Sequence, residues 1–375
     1  MLAKKKLLFI TGTRADFGKL KPLLSYIEKS DEFELFVIVT GMHMLSLYGS
    51  TYREVIKQNY KNIYLINNQF IDEPMGSILG NSINILSRFF TEINPDMVFV
   101  HGDRIEALAG ALAACFERKL VCHIEGGELS GTIDDSIRHA ISKFAHIHLV
   151  ANNEAKNRLI KMGENKGNIF IIGSPDIDVM SSNTLPNLKD AKEYYDIDFN
   201  SYAISMFHPV TTEFDYMQEY TKQYFKALDD SNKNFIVIYP NNDLGSKFIL
   251  SQIDKMRDCK KFKIFPSIRF EYFLVLLKNA EFIIGNSSAG VREAPFYGVN
   301  TINVGTRQNN RSTSKFVYNC WYDSNEILKA ISNLKPNSPL NKDTSFGSGD
   351  SLSKFIEFIH NDKIWQTNLQ KVFVE

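Results

Sequence analysis

The chain has 375 residues, 44% hydrophobic and 23% charged, with 43 basic and 43 acidic side chains and a formal net charge of zero. A chain of this size is expected to form two domains with ordinary apolar cores, and its charge balance excludes a broad electrostatic footprint for nucleic acid or an acidic membrane. The four cysteines, Cys115, Cys122, Cys259 and Cys320, show no CxxC and no paired spacing, which favours reduced thiols in a soluble cytoplasmic protein over a disulfide scaffold or a zinc site.

The first apolar run, "LLFITG", follows three lysines and is too short for a signal sequence or a membrane span, so it reads as a strand. "KLKPLLSYIEKS" then reads as helix and "ELFVIVTG" as strand. "PDMVFVHGDR" leads into the small-residue helix "IEALAGALAACFERK", and "LVCHIEGG" into "DSIRHAISKFA". "HIHLVAN", the helical "NEAKNRLIKMG" and "NIFIIGSPD" complete this series. Such β-branched runs alternating with helices describe a parallel sheet covered on both faces. A polar stretch follows, and the pattern restarts with "YAISMFHPV", "NFIVIYPNND", "KFKIFPSI", "EFIIGNSS" and "NTINVGTRQ". The boundary is set at Gly173: residues 1–172 form the first Rossmann-like domain and 173–354 the second. A C-terminal helix over 355–375 is expected to return to the first. The expected fold class is α/β, two Rossmann-like domains facing across a cleft, the glycosyltransferase-B architecture. Fold alone chooses no activity.

In parallel sheets, ligands bind beyond the carboxyl ends of the strands, where most of these runs end in small or polar turns. "GNSSAGVRE" offers Gly285, Asn286, Ser287 and Ser288 before a helix, with free N–H groups suited to a diphosphate and Glu293 placed for ribose hydroxyls. The simpler reading is an ordinary helix cap. Arg307 and Arg311 in "GTRQNNR" are placed to close on the same phosphates. His208 in "FHPVTTE" and Asn241, Asn242 and Asp243 in "YPNND" line the same expected cleft, although a lone histidine on an apolar strand is more often a satisfied core residue. In the first domain, Arg14, His43, Asp103, Arg104, Glu125, Glu128, Asp134 and Asp135 all follow strands. There is neither a Walker lysine motif nor GxGxxG, so ATP hydrolysis and dinucleotide binding are not indicated. His123, His139, His146 and His148 lack zinc-ligand spacing; no metal and no cofactor is expected.

Together, "TGTRAD", "HGDR", "HIEGGELSGTIDDSIRHAISK", "HPVTT", "PNND", "GNSSAGVRE" and "GTRQ" resemble, in order and over nearly the whole chain, the hydrolysing UDP-N-acetylglucosamine 2-epimerases of sialic acid biosynthesis. The resemblance implies conversion of UDP-GlcNAc and water to N-acetylmannosamine and UDP. Close relatives act instead on a UDP- or GDP-linked 2,4-diacetamido-trideoxyhexose in legionaminic acid biosynthesis, and the motifs do not separate these substrates. Non-hydrolysing relatives usually show a HVEAGLR-like segment where this chain reads "HIEGGEL". A glycosyltransferase or a non-catalytic nucleotide-sugar sensor of the same architecture would not require the acidic set.

By resemblance, Asp103, Glu125 and Asp134 supply acid–base groups, with Glu125 or Asp103 as the base at C2, and His208 serves the leaving diphosphate or the sugar. Arg14, Lys19, His43, Arg104, Asn241, Asp243, Gly285, Asn286, Ser287, Ser288, Glu293 and Arg307 are the implied substrate and UDP contacts. The implied partners are the UDP-sugar, the UDP product and further copies of the chain, as a homodimer or homotetramer. Asp135, following Thr132 at capping-box spacing, reads as the start of a helix.

Overall fold

The computed structural model describes residues 3–309, 311, 314–337 and 342–375. The apolar runs form two wholly parallel sheets. The first contains β1 (Lys5–Thr11), β2 (Phe33–Val39), β3 (Ile63–Leu65), β4 (Met97–His101), β5 (Leu120–Ile124), β6 (Ile147–Val150) and β7 (Ile169–Ile171), in the order β3-β2-β1-β4-β5-β6-β7. The second contains β8 (Ala203–Met206), β9 (Phe235–Ile238), β10 (Phe262–Phe265), β11 (Ile283–Gly285), β12 (Thr301–Val304) and β13 (Val317–Cys320), in the order β10-β9-β8-β11-β12-β13. The sequence reading lacks β3 and β13. Both are short edge strands without a fully buried run, so little in their composition marks them.

Period-2 alternation explains how the first sheet is covered on both faces. Leu7 and Phe9 of β1 pack into one apolar cluster, and Leu8 and Ile10 into the other. The small-residue helix Ile105–Phe116 lies close against the second of these faces: a Cβ on Gly110 would stand 2.3 Å from Ile10 Cδ1. Removing a methylene's worth of space here would therefore be felt directly. In the second sheet Ile204, Ile236, Ile284 and Ile302 are fully buried.

Two compact units follow these sheets. One comprises the chain up to Glu128, Asp134–Ser181 and Ser345–Glu375; the other comprises Leu129–Ile133 and Ser182–Thr344. The first unit thus runs past Gly173, because the helix Pro175–Ser181 is tied into it. Asp178 accepts the backbone N–H of Ser351 at 2.9 Å and of Leu352 at 2.7 Å, capping the C-terminal helix Ser351–Ile359. That helix sends Phe355, Phe358 and Ile359 into the first core. It ends at Ile359, and a 3-10 turn, Asp362–Gln366, follows in place of the continuous helix expected from the sequence. Among the described residues, no helix is long and apolar enough to cross a membrane.

Candidate functional site

Each sheet reverses strand order once, between β1 and β4 in the first and between β8 and β11 in the second. Such switch points open a crevice at the strands' carboxyl ends, and most of the motif residues collect there.

In the first unit, Thr13 caps the helix Arg14–Glu28 through a reciprocal capping box with Asp16, so Arg14 opens the helix directly after β1. One turn on, Lys19 is buried, with its ammonium 3.1 Å from Asp176 Oδ2 and 3.9 Å from Glu125 Oε1. Glu125 holds a left-handed backbone conformation, φ 64°, unusual for a side chain with a Cβ. Its carboxylate accepts a hydrogen bond from Ser174 Oγ and lies 3.4 Å from His101 Nε2. Arg138, on the helix Ile133–Phe144, is buried and fastens two loops at once: Nη1 donates to the Glu125 carbonyl at 2.6 Å and Nη2 donates to the Asp103 carboxylate. A single planar guanidinium thereby sets Asp103 and Glu125 with respect to each other, a task its fork geometry suits.

Two histidines brace this frame as neutral groups. His123 spans from Gly102 O, 2.7 Å from Nε2, to Ser142 Oγ, 3.3 Å from Nδ1, and burial lowers its pKa to about 3. His43 contacts Thr11 Oγ1 at 3.0 Å and Thr51 Oγ1 at 2.7 Å; burial brings its pKa down to about 4 against the opposing pull of Asp16. With both ring nitrogens engaged inside the domain, His43 acts as an internal support for the β1 and β2 turns. Arg104 donates to Glu106 Oε2 at 3.3 Å, and Glu106 is itself buried beneath those turns, where a Cβ on Gly41 would come within 2.5 Å of it. Asp134 and Asp135 stand half-buried in the first turn of the helix beginning at Ile133. The back half of the acidic motif is thus a helix start.

In the second unit, His208 and Asn286 join the loops after β8 and β11. Asn286 is fully buried; its side chain accepts the His208 N–H at 2.7 Å and donates to the His208 carbonyl at 2.9 Å. The Asn241 N–H donates to His208 Nδ1 at 3.0 Å. A backbone N–H can only donate, so Nδ1 carries the lone pair and Nε2 the proton: His208 presents an N–H donor. Asn241 also donates to Asp243. The Asn286 carbonyl collects Gln308 Nε2 at 2.8 Å and Arg307 Nη1 at 3.4 Å. Gly285 adopts φ 131° and passes so close to Met206 O that a Cβ would come within 2.0 Å of it. Ser287 caps the short 3-10 turn Ser288–Gly290, and Glu293 is buried at the start of the four-residue helix Glu293–Phe296. The free N–H groups expected at this turn are partly used. Those of Gly290, Val291 and Arg292 donate to Ser287 O or Ser288 O, and that of Ala289 to Ser287 Oγ. Charge at this turn therefore has to come from side chains more than from a helix end. Arg311 donates to Gln308 Oε1 at 3.1 Å.

Sequence reasoning passed over Arg138, His101, Ser174, Asp176, Glu106 and Gln308. His101 and the Ser174–Asp176 pair were visible in the strand-end turns "HGDR" and "GSPD". Arg138 carried no signal, because an arginine in an amphipathic helix normally faces water.

The sequence profile of the family described as UDP-N-acetylglucosamine 2-epimerase matches residues 25–360. A Neisseria meningitidis serogroup B protein named UDP-N-acetylglucosamine 2-epimerase is 56% identical over 374 residues, covering 99% of both chains. A Legionella pneumophila protein named UDP-N,N'-diacetylbacillosamine 2-epimerase (hydrolyzing) is 31% identical, covering 95% of both. The crystal structure of the Methanocaldococcus jannaschii UDP-GlcNAc 2-epimerase in complex with UDP-GlcNAc and UDP superposes with a TM-score of 0.78 at 24% identity. It covers 94% of this chain and 99% of that one, which establishes the shared two-domain fold.

Proposed function

Because the chain belongs to the UDP-N-acetylglucosamine 2-epimerase family, enzymes acting on UDP-linked amino sugars, we propose that it is a hydrolysing member: it converts UDP-GlcNAc and water to N-acetylmannosamine and UDP for sialic acid biosynthesis. The observation that carries the reading is the Arg138 clasp, which ties the Asp103 carboxylate to the Glu125 backbone and so fixes the two acidic residues at the neighbouring ends of β4 and β5. The segment "HIEGGEL", in place of the HVEAGLR-like segment usual in non-hydrolysing relatives, favours hydrolysis.

The C2 proton of a sugar ring is not acidic. The C1–O bond to UDP must weaken first, and the resulting oxocarbenium character acidifies C2–H. Glu125 or Asp103 takes that proton as UDP leaves, giving 2-acetamidoglucal by anti elimination. Water then adds at C1 while a proton reaches C2 from the opposite face, inverting that centre, with Asp134 as the second acid–base group or the group that orients water. Arg14, Arg307 and the Ser287–Ser288 turn supply the charge complement of the departing diphosphate, and the His208 Nε2–H donates a hydrogen bond to it. Lys19, paired with Asp176, places a positive charge 3.9 Å from the Glu125 carboxylate.

A second substrate, UDP-linked 2,4-diacetamido-trideoxyglucose, is favoured by the name and 31% identity of the Legionella relative. A substrate panel separates the two. Purified protein is incubated with each nucleotide sugar, and UDP release is followed by anion-exchange chromatography with identification of the free sugar. Turnover of UDP-GlcNAc to free N-acetylmannosamine supports the primary reading. Turnover of the diacetamido sugar alone replaces it with the second, and a product still attached to UDP overturns hydrolysis.

A further inference from the structure

We propose that Glu213 is a positioning residue that fixes the Arg307 loop, acting through Thr306 and Tyr322; the inference rests on the reading that Arg307 holds the diphosphate. Glu213 lies in the 3-10 helix Thr211–Tyr216, on the same loop as His208. Thr306 Oγ1 donates to Glu213 Oε1 at 2.6 Å, and the Tyr322 hydroxyl donates to Glu213 Oε2 at 2.7 Å. A carboxylate is an acceptor with two equivalent oxygens, and here each is committed to a different strand-end loop. Thr306 immediately precedes Arg307 after β12, and Tyr322 follows β13.

Tyr322 is well placed to act as an anchor. It is buried, lies 3.9 Å from Tyr220 in a near-parallel ring stack, and meets Phe207 edge-on. Burial, reinforced by the neighbouring Glu213 carboxylate, raises its pKa, so the hydroxyl remains a donor. Gly305, at φ 79°, runs across its ring so closely that a Cβ would stand 2.0 Å from Tyr322 Cζ. The Arg307 loop is therefore seated on Tyr322 from below and tied by Thr306 from the side. It is held at two further points: the Gly131 N–H donates to Arg307 O at 3.0 Å, and Gln308 donates to Asn286 O at 2.8 Å. Because Asn286 also clasps His208, Glu213 closes a ring of loops that joins His208 to Arg307. Loss of the carboxylate takes the shared anionic acceptor from Thr306 and Tyr322 and replaces one strong hydrogen bond with a weaker, reoriented one, so the arginine loses its fixed starting position, which raises the ordering cost of binding an anion.

Glu213→Gln and Tyr322→Phe are each titrated calorimetrically with UDP and assayed kinetically with UDP-GlcNAc, with circular dichroism confirming the fold. Either variant is expected to weaken UDP binding about tenfold, as for a lost hydrogen bond to a charged group, and to raise KM while kcat falls no more than about twofold. In an Arg307→Ala background, Glu213→Gln should have no further effect on UDP binding, a coupling that a merely structural role would not produce. A folded Glu213→Gln protein that binds UDP like the parent, or loses kcat with KM unchanged, overturns the inference and leaves the diphosphate reading standing. A parent protein that binds no UDP overturns the reading itself.

Discussion

The pairing of Lys19 with Asp176 predicts a large and specific effect of removing one charge. The ammonium and the carboxylate are 3.1 Å apart, with side-chain exposures of 9% and 0%, and Glu125, at 5%, is the next carboxylate, 3.9 Å away. Lys19→Met keeps most of the buried methylene stem but removes the ammonium from beside the buried Asp176 and Glu125 carboxylates. Breaking a buried pair from one side costs about 3–5 kcal/mol, because the remaining charge keeps its desolvation penalty. Adding Asp176→Asn to Lys19→Met removes the carboxylate that has lost its ammonium and should restore at least about 1 kcal/mol, a non-additive recovery expected only of directly interacting groups. The chain has two tryptophans. Trp365 lies in the first unit, stacked on Phe33, and Trp321 lies in the second. A Trp321→Phe background therefore lets urea unfolding of the first unit be read from Trp365 fluorescence. A Lys19→Met midpoint equal to the parent's, or a double variant less stable than Lys19→Met alone, would refute the reasoning.

Other consequences follow from single positions. His43 and His123 are buried neutral, with pKa values lowered to about 4 and about 3 from 6.5. The unfolded chain takes up protons that the folded chain refuses, so the urea midpoint should fall as pH drops from 6.5 towards 4; a midpoint that stays level between pH 7 and 5 contradicts this. Glu164 is buried, which alone would raise its pKa, yet the His148 hydrogen bond and Lys371 hold it to about 2. Its contribution is present above about pH 4.5 and lost between there and pH 2, so acid unfolding of Glu164→Gln should be shallower in that window. Gly285→Ala forces a Cβ against Met206 O and strains a φ of 131°; a loss of about 1–3 kcal/mol in thermal unfolding is expected, with weakened UDP binding in calorimetry. Glu125→Gln and Asp103→Asn each retain the shape of the side chain and remove one of the two proposed bases, so in the variant that lacks the C2 base kcat should fall by about 10²–10⁴ with UDP binding intact.

Much of the fold was legible because the chain alternates cleanly. Runs such as "MVFVH" and "LVCHI" are buried on both faces and have no other stable home than a parallel sheet. The strand-end turns were legible for the same reason, and Asp103, Glu125, His208 and Asn286 stand in them as expected. What remained hidden was the inward supports. His43 follows a strand as a ligand-binding residue would, and only the tertiary positions of Thr11 and Thr51 enclose it. Arg138, Asp176 and Glu213 take their partners from segments distant in sequence, Asp103, Lys19 and Tyr322, and no local pattern encodes such pairs. Likewise, Asp178 draws the helix Pro175–Ser181 into the first unit through a cap on a helix near the other end of the chain.

The most direct test of the proposed reaction is an NMR time course of the purified protein with UDP-GlcNAc in deuterated water. The account predicts release of UDP together with free N-acetylmannosamine carrying deuterium at C2, since the proton lost on elimination is replaced from solvent on the opposite face. A UDP-linked product, or free sugar that retains its original C2 proton, would contradict it.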